Sequence, residues 1–394
     1  MELIATSAFG LEAVVSRELE ALGYHEQIVE DGRVTFQGDE LAICRCNLWL
    51  RSADRVLVKM GGFPAPDFAT LFDQTAQLPW SDWLPIDARF PVSGKSVRSQ
   101  LYAVSTVQGV TKKAIVEHLK KHSTRHWFEE TGPDFPVEIS ILKDFAILTL
   151  DTSGLGLHKR GYRAEVGAAP LKETLAAALI QLSYWNPDRP FLDPFCGSGT
   201  IPIEAAMIAR NKAPGLNRGF TCENWPRIPR EIWKQARDEA KDLQRPKVPI
   251  QLVGQDIDGK TLRLAKKHAE EAGVGTDIDF KRDDVLELKK TRDYGVIICN
   301  PPYGERLGDR SSAEAIYDDM ADAFAAFDTW SIYVLTSHQG FEHFFRRRSD
   351  RRRKLYNGRL ECTYYQFFGP RPPGESSPAE LPASDVEAPS QGSP

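Results

Sequence analysis

The sequence predicts a chain of two parts, an α/β domain with a parallel sheet that follows an α+β segment. From residue 172 onward, apolar strand patterns alternate with helical patterns, which is typical of a parallel sheet covered by helices on both faces. Before residue 152, strand and helix patterns are mixed and end in a hairpin pattern. A glycine-rich stretch at 153–171 separates the two rhythms, and we interpret it as a linker.

The α+β part opens with a strand pattern and an amphipathic helix. Apolar residues recur at helical spacing over 10–22, and Gly23 is a typical terminator. The same periodicities predict the remaining elements of this part, which are strands at 2–6, 33–37, 54–60, 88–94, 136–142 and 145–151 and helices at 39–50, within 68–84 and at 106–122.

The α/β part is predicted from shorter apolar strands and longer helices. Its strands are expected at 191–193, 250–256, 277–281, 294–299 and 330–336, and its helices at 172–184, 200–210, 259–272 and 313–326. The tail at 372–394 is rich in Pro, Ser, Ala and Glu and has no aromatic residue. We expect this tail to be disordered, because it cannot bury enough apolar surface to become ordered.

Composition excludes several classes of protein. The 394 residues carry a net charge of only −5, so a surface for nucleic acid has to be local. The start lacks a signal peptide and no apolar run could span a membrane, so we expect a cytoplasmic protein. Its six cysteines are expected to be reduced thiols, and they form no metal-ligand pattern; they stand at 44, 46, 196, 222, 299 and 362.

A glycine loop follows the first predicted strand of the α/β part. The strand ends at Asp193, and Gly197 and Gly199 let the backbone approach a ligand at the carboxyl edge of the sheet. A dinucleotide fingerprint needs a third glycine where Pro202 stands, and a phosphate loop needs a Lys that is absent. Asp193 favours a cationic ligand such as S-adenosylmethionine. The alternative is an ordinary strand–turn–helix joint.

Two further carboxylates are candidates for the same ligand. Asp256 ends the next strand and could accept hydrogen bonds from ribose hydroxyls, with Asp258 as the alternative. Asp284 follows the strand after that and could accept from an adenine amino group, with Asp283 as the alternative. Each carboxylate could instead cap a helix or serve only its own loop.

The segment Asn300-Pro301-Pro302-Tyr303 follows a buried strand at the same edge of the sheet. An exocyclic amine is a poor nucleophile because its lone pair is delocalised into the base. Acceptors such as the Asn300 side-chain oxygen and the Pro301 carbonyl could bind both N–H groups, and the prolines would hold them in place. Tyr303 could stack on a flipped base. The alternative is a proline-rich turn.

These motifs together resemble a known family. The segments 193–200, 254–258 and 300–308 look like class I methyltransferases of the NPPY type, which methylate amino groups. The segments 5–24, 154–163, 169–179 and 354–367 resemble the THUMP-domain RNA methyltransferases, and in particular the bacterial enzymes that methylate guanine N2 of 23S rRNA. That resemblance is to the first half of a two-enzyme fusion, and 394 residues leave no room for the second half.

The resemblance implies an α/β, Rossmann-like methyltransferase domain with a seven-stranded sheet, preceded by an α+β ferredoxin-like segment and a THUMP domain. The expected boundaries are 1–60 for the ferredoxin-like segment, 61–155 for the THUMP domain, 156–371 for the methyltransferase domain and 372–394 for the tail. By position in the motifs, S-adenosylmethionine contacts fall on Asp193, Cys196, Gly197, Gly199, Thr200, Asp256 and Asp284. Contacts to the amino group fall on Asn300, Pro301, Pro302 and Tyr303.

Two basic segments are candidates for an RNA surface. Between 89 and 125 there are eight Lys or Arg residues and one acid, in the stretch assigned to the THUMP domain. The RNA-binding residues predicted there share one helix and are Lys112, Lys113, Lys120 and Lys121. The run 346–354 has seven basic residues of nine, and we expect Arg346 and Arg347 to contact RNA beside the site. The lysines of the helix could instead form a solvated helix face, and the run 346–354 could instead be a solvated or disordered loop.

The sequence therefore predicts methyl transfer from S-adenosylmethionine to guanine N2 in RNA, most directly in 23S rRNA. A tRNA guanine-N2 methyltransferase would share every one of these parts. A DNA adenine-N6 methyltransferase would share the Asn-Pro-Pro-Tyr segment but would not need a THUMP domain. A non-catalytic RNA-binding factor with the same fold is the fourth alternative. The oligomeric state stays open.

Overall fold

The computed structural model describes residues 1–123, 127–163, 171–247, 250–304 and 309–374. Its strands form two seven-stranded sheets, with orders β2-β3-β1-β4-β7-β6-β5 and β10-β9-β8-β11-β12-β14-β13. The seven-stranded sheet expected for the α/β part is confirmed. Most of the expected disordered tail, residues 375–394, lies outside the described residues.

The strands are β1 Glu2–Ser7, β2 Gln27–Glu30, β3 Arg33–Gln37, β4 Ala53–Pro64, β5 Val92–Val97, β6 Val137–Leu142, β7 Phe145–Asp151, β8 Phe191–Asp193, β9 Leu252–Asp256, β10 Ile278–Arg282, β11 Val296–Cys299, β12 Ser331–Thr336, β13 Arg351–Asn357 and β14 Leu360–Phe367. The helices are α1 Glu12–Ala21, α2 Glu40–Trp49, α3 Phe68–Gln77, α4 Val104–Lys121, α5 Glu173–Gln181, α6 Thr200–Ala209, α7 Arg230–Asp242, α8 Gly259–Glu271, α9 Asp309–Phe324 and α10 Phe341–Phe344.

The N-terminal sheet is continuous across the ferredoxin-like and THUMP segments. Strand β4 is twelve residues long and pairs antiparallel with β1 on one side and with β7 on the other. A β-bulge between Lys59 and Gly61 shifts the register of the pairing between β4 and β7. Only β5 and β6 run parallel in this sheet. The two segments therefore share one sheet and one hydrophobic core.

In the C-terminal sheet, the direction in which successive strands are added changes beside β8. Strands β9 and β10 extend the sheet on one side of β8, and β11 and β12 extend it on the other. These five strands are parallel, and β14 pairs antiparallel with β12 and β13. In open α/β sheets a ligand binds outside the carboxyl ends of the strands at such a switch point. Separate apolar clusters cover the two faces of the sheet.

Three parts of the fold differ from the sequence-based expectation. Strand β2 was not predicted, and it is an exposed, four-residue edge strand. The strand expected at 88–94 is observed at Val92–Val97, because the parallel register with β6 begins only at Val92, after Pro91. Helix α7 was also missed. It packs on the N-terminal core through Trp233 and Ala236, although it belongs to the C-terminal half of the sequence.

All six cysteines are buried and free, as expected for reduced thiols. Burial raises the pKa of the Cys196 and Cys299 thiols well above the usual range, so neither thiol has the character of a nucleophile. In the part of the chain that the structure describes, no helix is long and apolar enough to cross a membrane.

Candidate functional site

The glycine loop joins the carboxyl end of β8 to the start of α6. Gly199 has a φ of +85° and precedes the first helical residue, Thr200. A Cβ on Gly199 would lie 3.0 Å from the Ala265 Cβ, so α8 approaches this loop too closely for a side chain. Gly197 also has a positive φ, of +53°, but its missing Cβ faces open space. Gly197 thus leaves room for a ligand, whereas Gly199 allows close packing.

Asp193 lies at the floor of this loop. The side chain is 1% exposed, and its Oδ1 accepts a hydrogen bond from the Phe195 N–H at 3.1 Å. Burial, with a further contribution from the charge of Asp256, raises the pKa of Asp193 well above its usual range. A cationic group placed here would offset both effects.

Asp256 ties the glycine loop to the neighbouring strand. Its Oδ2 accepts a hydrogen bond from the Gly197 N–H at 2.9 Å, and its Oδ1 accepts from the Asp258 N–H at 2.9 Å. A carboxylate offers about four lone-pair positions, so Asp256 can still accept from a ligand. Asp258, the alternative, caps α8 by accepting from the Lys260 N–H at 2.9 Å. Of the two aspartates, Asp258 is therefore the one that caps a helix, which was the alternative role considered for each carboxylate.

Asp284 also serves its own turn in this structure. Its Oδ1 accepts from the Leu286 N–H at 3.0 Å, and the Gln255 side chain donates to its backbone carbonyl at 3.2 Å. Asp283, the alternative, is exposed. Asp284 thus lies next to the strand that carries Asp256.

The Asn300–Tyr303 segment lies at the end of β11, across the switch point from the glycine loop. The Tyr303 hydroxyl donates a hydrogen bond to the Asn300 Oδ1. The Asn300 oxygen expected to accept from a substrate amine is therefore bound by a hydroxyl of its own loop. Pro301 is buried and Pro302 is exposed.

Tyr317 of α9 contacts the Asn300–Tyr303 segment, and the sequence analysis did not identify it. Its hydroxyl donates to the Pro302 carbonyl at 2.9 Å and lies 3.0 Å from the Thr336 hydroxyl. The side chain is fully buried, and burial raises its pKa to about 12, so the phenol stays protonated and remains a donor. No local sequence pattern distinguishes Tyr317 from an ordinary core residue.

His268 of α8 is a second such residue, and it supports the glycine loop. Its Nδ1 lies 3.2 Å from the Ser198 carbonyl, and the side chain is 1% exposed. Burial lowers the pKa of His268, so the neutral ring with a proton on Nδ1 fits this contact. Cys196, buried beside the loop, lies 3.3 Å from the place where a Cβ on Gly254 would stand.

The predicted RNA-binding lysines of α4 divide into two pairs. Lys112 forms an ion pair with Glu130 and lies over the ring of Phe90, and Lys120 forms an ion pair with Glu117. Lys113 and Lys121 are exposed. The first pair is bound to carboxylates, whereas the second pair is exposed, with the Lys113 ammonium 5.9 Å from the centre of the Phe72 ring.

The basic run after α10 is ordered. Arg346 forms ion pairs with Asp318 and Asp322 of α9, and Arg347 lies over the ring of Phe367 at 5.2 Å. The last four residues of the run begin the edge strand β13. The loop considered as an alternative for this run is therefore wrong for residues 351–354.

Comparisons with known proteins match the whole described architecture. Models of three families match successive segments, namely the RlmL ferredoxin-like domain at residues 2–57, the THUMP domain at 65–151 and the RMKL-like methyltransferase domain at 160–366. A protein of Bacillus subtilis (strain 168), YpsC, provisionally named as an RNA methyltransferase, is 51% identical over 368 residues, which are 93% of this chain and 95% of that protein.

Solved structures show the same arrangement. A Listeria monocytogenes protein, described as a predicted N6-adenine-specific DNA methylase, is 50% identical with a TM-score of 0.90 and covers 94% of this chain and 96% of its own. A protein called SMU.472, provisionally described as a methyltransferase and solved with SAH, is 45% identical with a TM-score of 0.89 and covers 94% of this chain and 98% of its own. The names of these relatives thus disagree on whether the substrate is RNA or DNA.

Proposed function

The chain belongs to the RMKL-like methyltransferases, and we propose that it transfers the methyl group of S-adenosylmethionine to the exocyclic N2 of a guanine in 23S rRNA. The observation that carries the proposal is the position of Asn300–Tyr303. This segment lies at the same edge of the sheet as the glycine loop, on the opposite side of the switch point.

The residues at the switch point suit S-adenosylmethionine. Bound there, the cofactor supplies an electrophilic methyl group on a sulfonium. Its cationic groups suit the buried Asp193, and open space at Gly197 lets a ligand approach the loop. Asp256 and Asp284 would accept from its hydroxyl and amino groups, and Cys196, Gly199 and Thr200 would shape the loop. The SAH in the SMU.472 structure is the demethylated form of this cofactor and supports the assignment.

The Asn300 side-chain oxygen and the Pro301 carbonyl would activate the amine by accepting hydrogen bonds from its two N–H groups. These acceptors stabilise the positive charge that grows on nitrogen as it attacks, and no strong base is required because the alkylated amine loses a proton readily. Tyr317 holds the loop through the Pro302 carbonyl, so the acceptors are positioned before the base arrives. The amine competes with the Tyr303 hydroxyl for the Asn300 oxygen, and a Tyr303 ring that has left Asn300 can stack on the base.

The THUMP match favours RNA over DNA. A DNA adenine-N6 methyltransferase needs the Asn-Pro-Pro-Tyr segment but has no use for an additional module of this kind, and YpsC carries an RNA name. The match to the RlmL ferredoxin-like domain supports guanine N2 in 23S rRNA as the target. A tRNA guanine would fit the same site and is the second candidate.

We also propose the domain boundaries 1–60, 61–155 and 156–371, within which the three matched segments lie. On the THUMP segment, the exposed Lys113 and Lys121 are the stronger candidates for phosphate contacts. Lys112 and Lys120 would first have to leave their carboxylate partners.

Nucleoside analysis of a deletion strain tests the proposal. We expect N2-methylguanosine to be lost from 23S rRNA, to return with the wild-type gene and to stay absent with Asn300→Ala. Loss from tRNA instead would move the substrate and keep the chemistry. An unchanged nucleoside content in both RNAs would contradict the proposal.

A further inference from the structure

Three arginines meet where α1 of the N-terminal part packs on β13, the edge strand of the C-terminal sheet. Arg351 and Arg353 face the same side of β13 as Leu355, which shares an apolar cluster with Leu11 and Val14 of α1. A Cβ on Gly10 would lie 2.9 Å from the Lys354 carbonyl, so the start of α1 touches this strand directly. We call the surface formed by Arg17, Arg351 and Arg353 the α1–β13 seam.

Arg17 stands one helical turn after Val14 and therefore on the side of α1 that meets β13. The pKa of Arg353 is lowered by burial and by the positive charges of Arg351 and Arg17, which shows that the three groups are close. Within the described ranges of the chain, none of the three has a carboxylate at ion-pair distance. Asp350 is the acid nearest in sequence to Arg351 and Arg353, and its Oδ2 accepts from the Phe368 N–H at 2.7 Å. Glu18, next to Arg17, accepts from the side chains of Ser52 and Gln181.

The opposite face of β13 has a different arrangement. Arg352 is bound to Glu342, and Lys354 forms an ion pair with Glu361 at 2.7 Å. Alternate residues of one basic strand are thus neutralised on one face and left unpaired on the other. A solvated basic strand would not be expected to divide its charges in this way.

The seam also contains buried donors without acceptors. Arg351 lies directly opposite Gln366 in the antiparallel register, so the two side chains share a face. Gln366 is 2% exposed, and its Nε2 has no hydrogen-bond partner among the described residues. The same holds for the Nε of Arg353. Buried donors that lack acceptors are rare in folded proteins, and a ligand is one cause.

An aromatic ring borders the same surface. Tyr184 is close enough to Arg353 to act on the pKa of its guanidinium, is 39% exposed, and packs against Phe368 with ring centroids 5.0 Å apart. Unpaired guanidinium groups next to an exposed ring are the combination with which proteins hold nucleic acid strands, through phosphate contacts and base stacking.

We propose that the α1–β13 seam binds a backbone phosphate of the RNA substrate through Arg17, Arg351 and Arg353, with the Gln366 amide as a further donor. This inference rests on the proposed function for the identity of the substrate as RNA. The strand registers link Arg351 to Gln366, Gln366 to Tyr333, and Tyr333 to Ile298, which stands two residues before Asn300. Three strand spacings amount to about 14 Å, so one RNA can contact both the seam and the methylation site.

The test compares two variants of the full chain that differ only in the face of β13. Filter binding would measure the affinity for protein-free 23S rRNA from a deletion strain, over a series of salt concentrations. We expect Arg351→Gln/Arg353→Gln to weaken binding about tenfold and to reduce the slope of log affinity against log salt by about one to two, because phosphate contacts release counterions. The control Arg352→Gln/Lys354→Gln removes the same number of positive charges from the other face and should change neither quantity.

Arg17→Gln gives a second, independent variant on the other side of the seam, in case the double variant folds poorly. It should weaken binding in the same direction and lower the salt slope by about one. Unchanged affinity and slope in Arg17→Gln and in a folded double variant would overturn the seam, while methylation of rRNA by the wild type would leave the proposed function intact. Wild-type protein that neither binds nor methylates RNA would overturn both.

Discussion

The hydroxyl and the ring of Tyr303 are predicted to have opposite effects on substrate binding. In this structure the hydroxyl occupies the Asn300 oxygen that the substrate amine needs, so it competes with the substrate. The ring provides the surface on which the base would stack. Tyr303→Phe removes the competitor and keeps the ring, whereas Tyr303→Ala removes both.

The magnitudes follow from the interactions lost. A hydrogen bond of this kind contributes about 0.5–1.5 kcal/mol net, so its removal in Tyr303→Phe should lower the KM for rRNA by about 2- to 12-fold. Stacking of a base on an aromatic ring contributes about 1–3 kcal/mol, so Tyr303→Ala should raise the KM by roughly 5- to 140-fold before the gain from the lost hydroxyl is subtracted.

Steady-state transfer of labelled methyl groups to 23S rRNA measures both effects, with donor binding by calorimetry as the control that the cofactor side is intact. We expect the kcat of Tyr303→Phe to stay close to that of the wild type. If Tyr303→Phe instead loses kcat as severely as Tyr303→Ala, the hydroxyl takes part in the chemistry, and the competition argued here is refuted.

Three further predictions concern the loops around the site. Gly199→Ala should lower the melting temperature clearly more than Gly197→Ala. Both substitutions place an alanine at a positive φ, which costs about 1–2 kcal/mol, but only at Gly199 would the new Cβ also lie too close to α8. Equal losses in melting temperature would contradict this account. The pKa of Asp193 is raised in the folded protein, so the folded state binds this proton more tightly than the unfolded chain does. The stability of the ligand-free protein should therefore fall as the pH rises above 3.8, the usual pKa of an aspartate. Asp193→Asn should make that fall in stability smaller in thermal melts across pH, because the raised pKa values of Asp54, Asp151 and Glu173 account for only part of it, and should weaken donor binding. A fall of the same size in the variant would rule out Asp193 as a contributor. Tyr317→Phe should cost about 1 kcal/mol of stability and reduce kcat while donor affinity is kept, and a kcat equal to that of the wild type would show that the Pro302 contact does not position the loop.

Local sequence patterns were sufficient for the framework of the site. The strand ends at Asp193 and Asp256 and the loop that starts at Asn300 could be predicted, because apolar runs and turn residues act within a few positions. The topology then brings these loops to one edge of the sheet. The seven-stranded sheet itself came from the family resemblance and not from periodicity.

Features that depend on distant partners could not be predicted in this way. The pairing of Lys112 with Glu130 joins α4 to a loop 18 residues away, and the packing of α7 on the N-terminal core joins the two halves of the chain. Helix α7 has a clear amphipathic pattern, which could have revealed the helix itself but not its partner. The seam arginines were visible only as part of a basic run, whose division into paired and unpaired faces requires the register of β13 with β14.

The central claim is methyl transfer by Asn300–Tyr303 to guanine N2 in rRNA. Its most direct test is incubation of the purified protein and of Asn300→Ala with labelled S-adenosylmethionine and three separate pools, which are 23S rRNA, tRNA and DNA from a deletion strain, followed by nucleoside analysis. The account predicts labelled N2-methylguanosine in 23S rRNA with the wild type and none with Asn300→Ala. Labelled N6-methyladenine in DNA, or full activity of Asn300→Ala, would contradict it.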